Sequence, residues 1–373
     1  MTLFLAVSRR VCQCLEGCPI GKKPGAASAA FGFTRSHFQP VGFTCERSAM
    51  NNTTKNALSV SQIRDFEQLG YLVLEDVFAP DTELAAVRAE YSALLKQHCD
   101  HWIAAGQLDS AAADLPFNLQ LLAVQRAGID YCQLLDISLP PGDIETDTPF
   151  HVGPAVFDMI RAPALLDCVQ SLIGPELTSN PIQHVRIKPP QPRLDSTEVR
   201  SFMTATEWHQ DKATALSEAD ATRMITAWVA VTDATEHNGC LQVIPGSHKA
   251  DLRTHCPLPQ LGIPDKLMQG QRSLPLPVRS GGVILFHPLT IHGSLANQSD
   301  DIRWSFDLRY HVTGHPSGRP MFPSFVARSN QNPDSELRDA MLWRDLWLDA
   351  RKRLATESPV QIHRWSQDAA VCA

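Results

Sequence analysis

The sequence has no excess of basic charge. Its 33 lysines and arginines are outweighed by 40 aspartates and glutamates, for a net charge of −7. No extended basic stripe is present, which argues against a nucleic-acid partner. No apolar run approaches the ~20 residues that span a bilayer, so no membrane helix is expected. A repeated CxxC pattern is also missing. The ten cysteines fall at 12, 14, 18, 45, 99, 132, 168, 240, 256 and 372. In a chain of this length, that scatter reads as reduced intracellular thiols rather than a disulfide framework. Cys12, Cys14 and Cys18 could bind zinc, but no second pair follows at a zinc-finger spacing. Residues 2–7 are apolar, yet too short and too early for a secretory segment. The C-terminal Ala370-Val371-Cys372-Ala373 carries no Ser-Lys-Leu peroxisomal address.

What remains is a globular chain. Of its 373 residues, 43% are hydrophobic and 20% charged, enough to bury the core of one large domain or two ordinary ones. The first 55 residues stand apart. They hold Arg9, Arg10, Lys22, Lys23, Arg35 and Arg47 against Glu16 and Glu46. This composition suits a disordered leader, a chain that truly begins at Met50, or an organelle transit peptide. The expected compartment is the cytoplasm, or the mitochondrion if the leader is a functional signal.

From Ser59 the pattern is helix then strand. Ser59 can cap a helix whose apolar positions are Ile63, Phe66 and Leu69, and Gly70 ends it. Tyr71–Leu74 reads as a strand. A second helix is expected over 81–96, and helical periodicity returns at about 155–172. Residues 183–188 alternate as a strand with His184, Arg186 and Lys188 on one face. Residues 226–233 form another strand. Asn238-Gly239 reads as a hairpin turn leading to a returning strand at 240–244. Gly281–Phe286 is a buried strand, and a final amphipathic helix is expected from Asn332 to about Leu354, with Leu337, Met341, Leu346, Trp347 and Leu354 on its apolar face. Loops at 97–150, 190–206 and 250–275 could cover an active-site mouth. Many short strands with helices at the ends indicate a mainly β chain with flanking α-helices and a double-layered jelly-roll core, as in cupins.

The chemistry concentrates in two stretches. In Trp208-His209-Gln210-Asp211, the imidazole and the carboxylate are two residues apart. On a strand, that spacing points both to the same side. With one more histidine from elsewhere, they make a two-histidine, one-carboxylate face that keeps coordination positions open, which suits a non-haem Fe(II) oxygenase. The second stretch is His287-Pro288-Leu289-Thr290-Ile291-His292-Gly293-Ser294, followed by Asn297, Ser299, Arg303 and Ser305. An arginine fork binds a carboxylate bidentately, and Ser305 lies on the same strand face as Arg303. His287 competes with His292 as third ligand, and Arg309 with Arg303 as acid anchor. Gly-Ser after the histidine favours His292. His151 and His248 read as packing or turn residues.

In this order, the motifs resemble the phytanoyl-CoA dioxygenase family of Fe(II)/2-oxoglutarate oxygenases over roughly residues 58–328. The resemblance runs through Lys188-Pro189-Pro190, Trp208–Asp211, Asn238–His248 and His292-Gly293-Ser294 to Arg303-x-Ser305. It implies a double-stranded β-helix with iron held by His209, Asp211 and His292. It implies that Arg303 and Ser305 anchor the far carboxylate of 2-oxoglutarate, with Lys188, Gln210 and Trp228 lining the co-substrate pocket. Trp228 reads equally well as plain core. Fe(II), 2-oxoglutarate and O₂ are the expected cofactor and co-substrates, with ascorbate helpful in assay. The domain plan is a leader over 1–55, a dioxygenase domain over 56–328 and a C-terminal helical extension over 329–373.

The expected reaction is hydroxylation of an aliphatic C–H in a small molecule or an acyl-CoA-type substrate, with release of succinate and CO₂. In relatives that halogenate, a small residue stands where this chain has Asp211, so oxygen insertion is expected here. Two other classes fit part of the pattern: a non-catalytic 2-oxoglutarate- or metal-binding protein, and a non-redox cupin-type metalloenzyme. The second has no use for Arg303. Substrate identity and oligomeric state are not encoded in any motif.

Overall fold

The first helix of the domain, α1 (Val60–Leu69), begins at a reciprocal capping box. The Ser59 hydroxyl accepts from the Gln62 N–H, and the Gln62 side chain accepts from the Ser59 N–H. Gly70 ends the helix with φ at 81°, a conformation that favours glycine. A side chain at Gly70 would also collide with His248 and Thr290. The computed structural model describes residues 56–140, 142–191, 204–257, 260–357 and 364–372. The leader and the middle of the 190–206 loop, both singled out above, lie outside the described residues.

Helices and strands follow in an order that builds a layer of helices on one sheet face. After β1 (Tyr71–Leu74) comes α2 (Glu83–Ala104), longer than the 81–96 expected. Leu84, Val87, Tyr91, Leu95 and Cys99 form its buried stripe. Then come α3 (Phe117–Arg126), α4 (Cys132–Leu135), α5 (Pro154–Ile160) and α6 (Pro163–Ile173). The periodic stretch at 155–172 is thus two helices rather than one. Pro163 has no N–H to continue the first helix, and it biases Ala162 away from helical geometry (φ −53°, ψ 125°).

Among the described residues, nine strands make two antiparallel sheets. The larger contains β1, β2 (Leu177–Lys188), β3 (Met224–Ala230), β6 (Val283–Phe286), β8 (Arg303–Val312) and β9 (Phe325–Arg328), in the spatial order β1-β6-β3-β8-β2-β9. The smaller has the order β5-β4-β7, from β4 (Leu241–Val243), β5 (Leu274–Leu276) and β7 (His292–Ser294). Alternation along β3 divides its side chains between two cores. Ala227 and Val229 pack with Tyr91, Leu165 and Phe306 on the helix side. Trp228 and Ala230 pack with Leu241, Val243 and Leu276 of the smaller sheet. This is a jelly-roll core with flanking helices.

The Asn238-Gly239 turn does not close a hairpin. β3 lies in the larger sheet and β4 in the smaller, so the turn carries the chain between layers. Its local chemistry is as expected: Gly239 has φ at 89°, and Asn238 bonds to the Thr235 N–H and the Asp233 carbonyl. A turn motif specifies reversal of the chain, whereas the sheet that receives the next strand is set by long-range burial.

After β9, helix α8 (Ala340–Leu354) packs Trp343, Trp347 and Ala350 inward. Met341 and Leu346, assigned above to its apolar face, are instead 50% and 41% exposed. The two tryptophans join the main core. Trp343 lies 5.5 Å from Phe157, and Trp347 lies 5.5 Å from Phe322. No helix of the described residues is long and apolar enough to cross a membrane.

Cys256 and Cys372 form a disulfide across 116 residues of sequence, which corrects the expectation of uniformly reduced thiols. The C-terminal segment reaches Cys256 because Arg364 donates to the Ala215 carbonyl and Trp365 to that of Ala213, with the Trp365 ring 5.1 Å from His255. Cys99, Cys168 and Cys240 form no disulfide. Burial pushes the thiols of Cys99 and Cys168 up to about 11. Both should therefore resist iodoacetamide at pH 8 in the native protein and react on unfolding. Peptide mapping after timed alkylation reads this directly.

Candidate active site

β2, β8 and β3 supply one wall of a pocket between the two sheets. Antiparallel register pairs Lys188 with Arg303 and Arg186 with Ser305 across β2 and β8, and Thr226 with Arg309 and Trp228 with Asp307 across β3 and β8. Residues paired across a ladder share a sheet face. The inward face therefore carries Arg186 and Lys188, Thr226 and Trp228, and Arg303, Asp307 and Arg309. These residues line a pocket together with Thr206, His209, Asp211, Leu241, Phe286, His292 and Gly293.

The two histidines meet at the edge of the smaller sheet. His209 does not sit on a regular strand, as the two-residue spacing had suggested. It forms an isolated bridge with His292, with reciprocal backbone hydrogen bonds of 2.9 and 3.0 Å. Asp211 opens a short 3₁₀-helix, Asp211–Thr214. Side-chain convergence survives this change of backbone. His209 Nε2 lies 3.7 Å and His292 Nε2 3.9 Å from Asp211 Oδ1, and one ligand atom from each residue falls within 4.8 Å of the others. Gly293 allows the bridge: a Cβ there would sit 2.7 Å from the Thr206 carbonyl oxygen.

Both imidazoles are oriented the same way. His209 Nδ1 is 2.8 Å from the Glu207 carbonyl oxygen, and His292 Nδ1 is 2.9 Å from that of Thr290. A carbonyl can only accept, so each Nδ1 carries a proton, which leaves Nε2 as the nitrogen available to a metal. That is the usual support for a metal-binding imidazole. Burial, and then the neighbouring His292, lower the His209 pKa to about 3, which keeps the ring neutral. For Asp211, burial would raise the carboxyl. Arg309, His292, His209 and the Thr226 hydroxyl together outweigh it and hold the group below its ordinary range. Two imidazole nitrogens and one ionised carboxylate fit a divalent metal of the Fe(II) type.

The other end of the pocket is cationic. Arg303 is 1% exposed. Its Nη1 donates to Ser305 Oγ at 2.6 Å, and its guanidinium lies 5.3 Å from the centre of the Trp228 ring. Its Nε has no hydrogen-bond partner. Lys188, also 1% exposed, donates to Thr206 Oγ1 and Ser294 Oγ, both at 2.7 Å. Burial lowers the Arg303 pKa to about 10 and takes that of Lys188 well below the usual amine range. Among the described residues, neither forms an ion pair; the nearby Asp307 pairs with Arg186 at 2.9 Å. An uncompensated buried cation is costly, and the carboxylate of a bound acid would relieve it.

The other sequence candidates are distributed as follows. Trp228 lines the pocket beneath Arg303. Ser305 reaches it only through its bond to Arg303. Gln210 does not line it: its amide donates to the Leu289 carbonyl and accepts from the Arg253 N–H, tying two loops together. Its backbone is extended (φ −118°, ψ 130°), and these two bonds hold its side chain away from the pocket. His287 lies outside the metal-binding group and accepts from the Leu289 N–H. Arg309, the rival anchor, binds Asp211 instead. His151 pairs with Glu90 at 2.9 Å, and His248 donates to the Glu67 carbonyl at 3.0 Å. Sequence reasoning missed Thr226, Thr206 and Ser294. Thr226 was within reach, two residues before Trp228 on the same strand face.

A buried site with two imidazoles and one carboxylate, opposite an arginine without a carboxylate partner and inside a jelly roll, defines the class of 2-oxoglutarate-dependent oxygenases. The sequence profile of phytanoyl-CoA dioxygenase (PhyH) matches residues 66–305, and the chain belongs to that family. It is a 2-oxoglutarate-dependent dioxygenase. Among curated relatives, a probable phytanoyl-CoA dioxygenase of Caenorhabditis elegans is 26% identical over 270 residues, covering 68% of this chain and 75% of that protein. The peroxisomal phytanoyl-CoA dioxygenase of Homo sapiens is 24% identical over 263 residues, covering 68% and 69%. The apo structure of the non-haem monooxygenase ThoJ shares the fold, with a TM-score of 0.50 and 18% identity over 79% of this chain and 97% of that one.

Proposed function

We propose that His209, Asp211 and His292 hold Fe(II), and that Arg303, with Ser305 and Lys188, holds the far carboxylate of 2-oxoglutarate. The observation that carries this reading is the buried, unpaired Arg303 in the same pocket as the His-Asp-His group. Bound iron, with 2-oxoglutarate and O₂, would supply oxidative decarboxylation to succinate and CO₂ and the oxidising power to hydroxylate an aliphatic C–H. The protein's residues set the geometry. The carbonyls of Glu207 and Thr290 fix both imidazoles. Ser305 and Trp228 brace the Arg303 fork, while Thr206 and Ser294 hold the Lys188 ammonium. The sheet walls of Leu241 and Phe286 limit water. The names of the curated relatives support a small-molecule or acyl-CoA-type substrate. No nucleic-acid or membrane partner is invoked.

The test is succinate release by full-length protein given Fe(II), ascorbate, 2-oxoglutarate and O₂, beside His209→Ala. Slow turnover by the wild type, lost in the variant, is the expected result. Bound iron and 2-oxoglutarate without succinate, even across acyl-CoA and metabolite libraries, would instead support a binding protein. Failure to bind either would overturn the proposal.

A further inference from the structure

The carboxylate of Asp211 is held at both oxygens. Thr226 Oγ1 donates to Oδ2, and Arg309 Nη2 donates to Oδ1. Oδ1 is also the oxygen that faces the two imidazoles, 3.7 Å from His209 Nε2 and 3.9 Å from His292 Nε2. Arg309 is itself fixed, since its Nη1 donates to the Ile182 carbonyl at 2.8 Å. Thr226 and Arg309 are register partners on β3 and β8, so the two donors reach the carboxylate from adjacent strands of the rigid sheet. Asp211 needs such support. It lies at the start of a four-residue 3₁₀-helix rather than on a strand, and its own backbone does little to orient the side chain.

We propose that Arg309 and Thr226 are positioning residues that lock the Asp211 carboxylate so that Oδ1 alone is presented to the metal. This rests on the assignment of His209, Asp211 and His292 as the metal site. A carboxylate freed from these bonds can rotate away from the imidazoles or present both oxygens. The first loses a ligand, and the second consumes a coordination position that a bidentate acid requires. Arg309 thereby has a role distinct from that of Arg303 six residues earlier on the same strand face: one arginine serves the protein's carboxylate, the other the co-substrate's.

The test uses Co(II) alone, titrated by its visible absorption into chelator-stripped full-length protein, so no turnover is needed. Two substitutions leave the site's charge unchanged. Thr226→Val keeps the shape and removes the hydroxyl donor. Arg309→Lys keeps the cation and removes the fork that joins Asp211 to Ile182. Each should weaken Co(II) binding about tenfold or more, in line with losses of outer-shell partners, and should change the intensity of the Co(II) absorption bands. Tyr310→Phe is the control. It removes a buried hydroxyl that donates to the Ile160 carbonyl on the opposite face of β8, so it should lower stability without moving Co(II) affinity. Wild-type affinity and spectrum in both substituted proteins would overturn the positioning role. It would also fall if Tyr310→Phe weakened Co(II) binding to the same degree. If Arg309→Lys fails to fold, Thr226→Val decides alone. No Co(II) binding by the wild type would overturn the metal-site assignment and this inference with it.

Discussion

Arg303→Ala is expected to raise the KM for 2-oxoglutarate by about 30-fold to a few thousand-fold. That corresponds to the ~2–5 kcal/mol lost when one partner of a buried charge pair is removed. The magnitude follows from the site. Arg303 is buried, braced by Ser305 at 2.6 Å and backed by the Trp228 ring, so its donors are oriented before the acid arrives. Arg303→Lys should recover little. A lysine lacks the planar fork, and it would place a second flexible ammonium beside Lys188. Metal binding should be preserved in both variants, because Arg303 makes no bond to Asp211, His209 or His292 among the described residues. Direct binding of 2-oxoglutarate to the Mn(II)-loaded protein checks the result without chemistry. A KM within threefold of wild type in Arg303→Ala would remove the anchor from Arg303.

Trp347→Ala is the second large effect. The side chain is fully buried, with ring contacts to Phe150 at 6.1 Å and Phe322 at 5.5 Å. Truncating a buried tryptophan costs about 3–5 kcal/mol through lost burial and the cavity left behind, against a typical total of only about 5–15 kcal/mol. The urea midpoint should fall accordingly. Leu346→Ala, one residue away and 41% exposed, should stay within about 0.5 kcal/mol of wild type. A Trp347→Ala protein as stable as wild type would show that α8 is not part of the cooperative core.

The contrast between Trp347 and Leu346 shows how far a sequence can be read. Periodicity places an amphipathic helix from Asn332 to about Leu354, starting earlier than the observed Ala340, and it leaves the inward direction ambiguous when apolar residues occur on several faces. Only the positions of Phe157, Phe322 and Phe325 select the Trp343–Trp347 side. Asn238-Gly239 is similar. The turn was legible because its chemistry is local, but its use as a passage between sheets was not.

The sequence by itself determined the jelly-roll class, the capped first helix and the chemical identity of the site: two histidines, one aspartate, and an arginine followed two residues later by serine. Each is a local property, since a cap needs four residues, a strand face follows from alternation, and donor chemistry belongs to the residue type. The tertiary structure decided what depends on residues distant in sequence. It set the His209–His292 bridge, the bond between Arg309 and Asp211, the pairing of Cys256 with Cys372, and the loop-bracing position of Gln210. These depend on contacts between segments distant in sequence: 98 residues separate Arg309 from Asp211, and 116 separate Cys256 from Cys372. Register is fixed by burying whole sheet faces together, which no short stretch of sequence specifies.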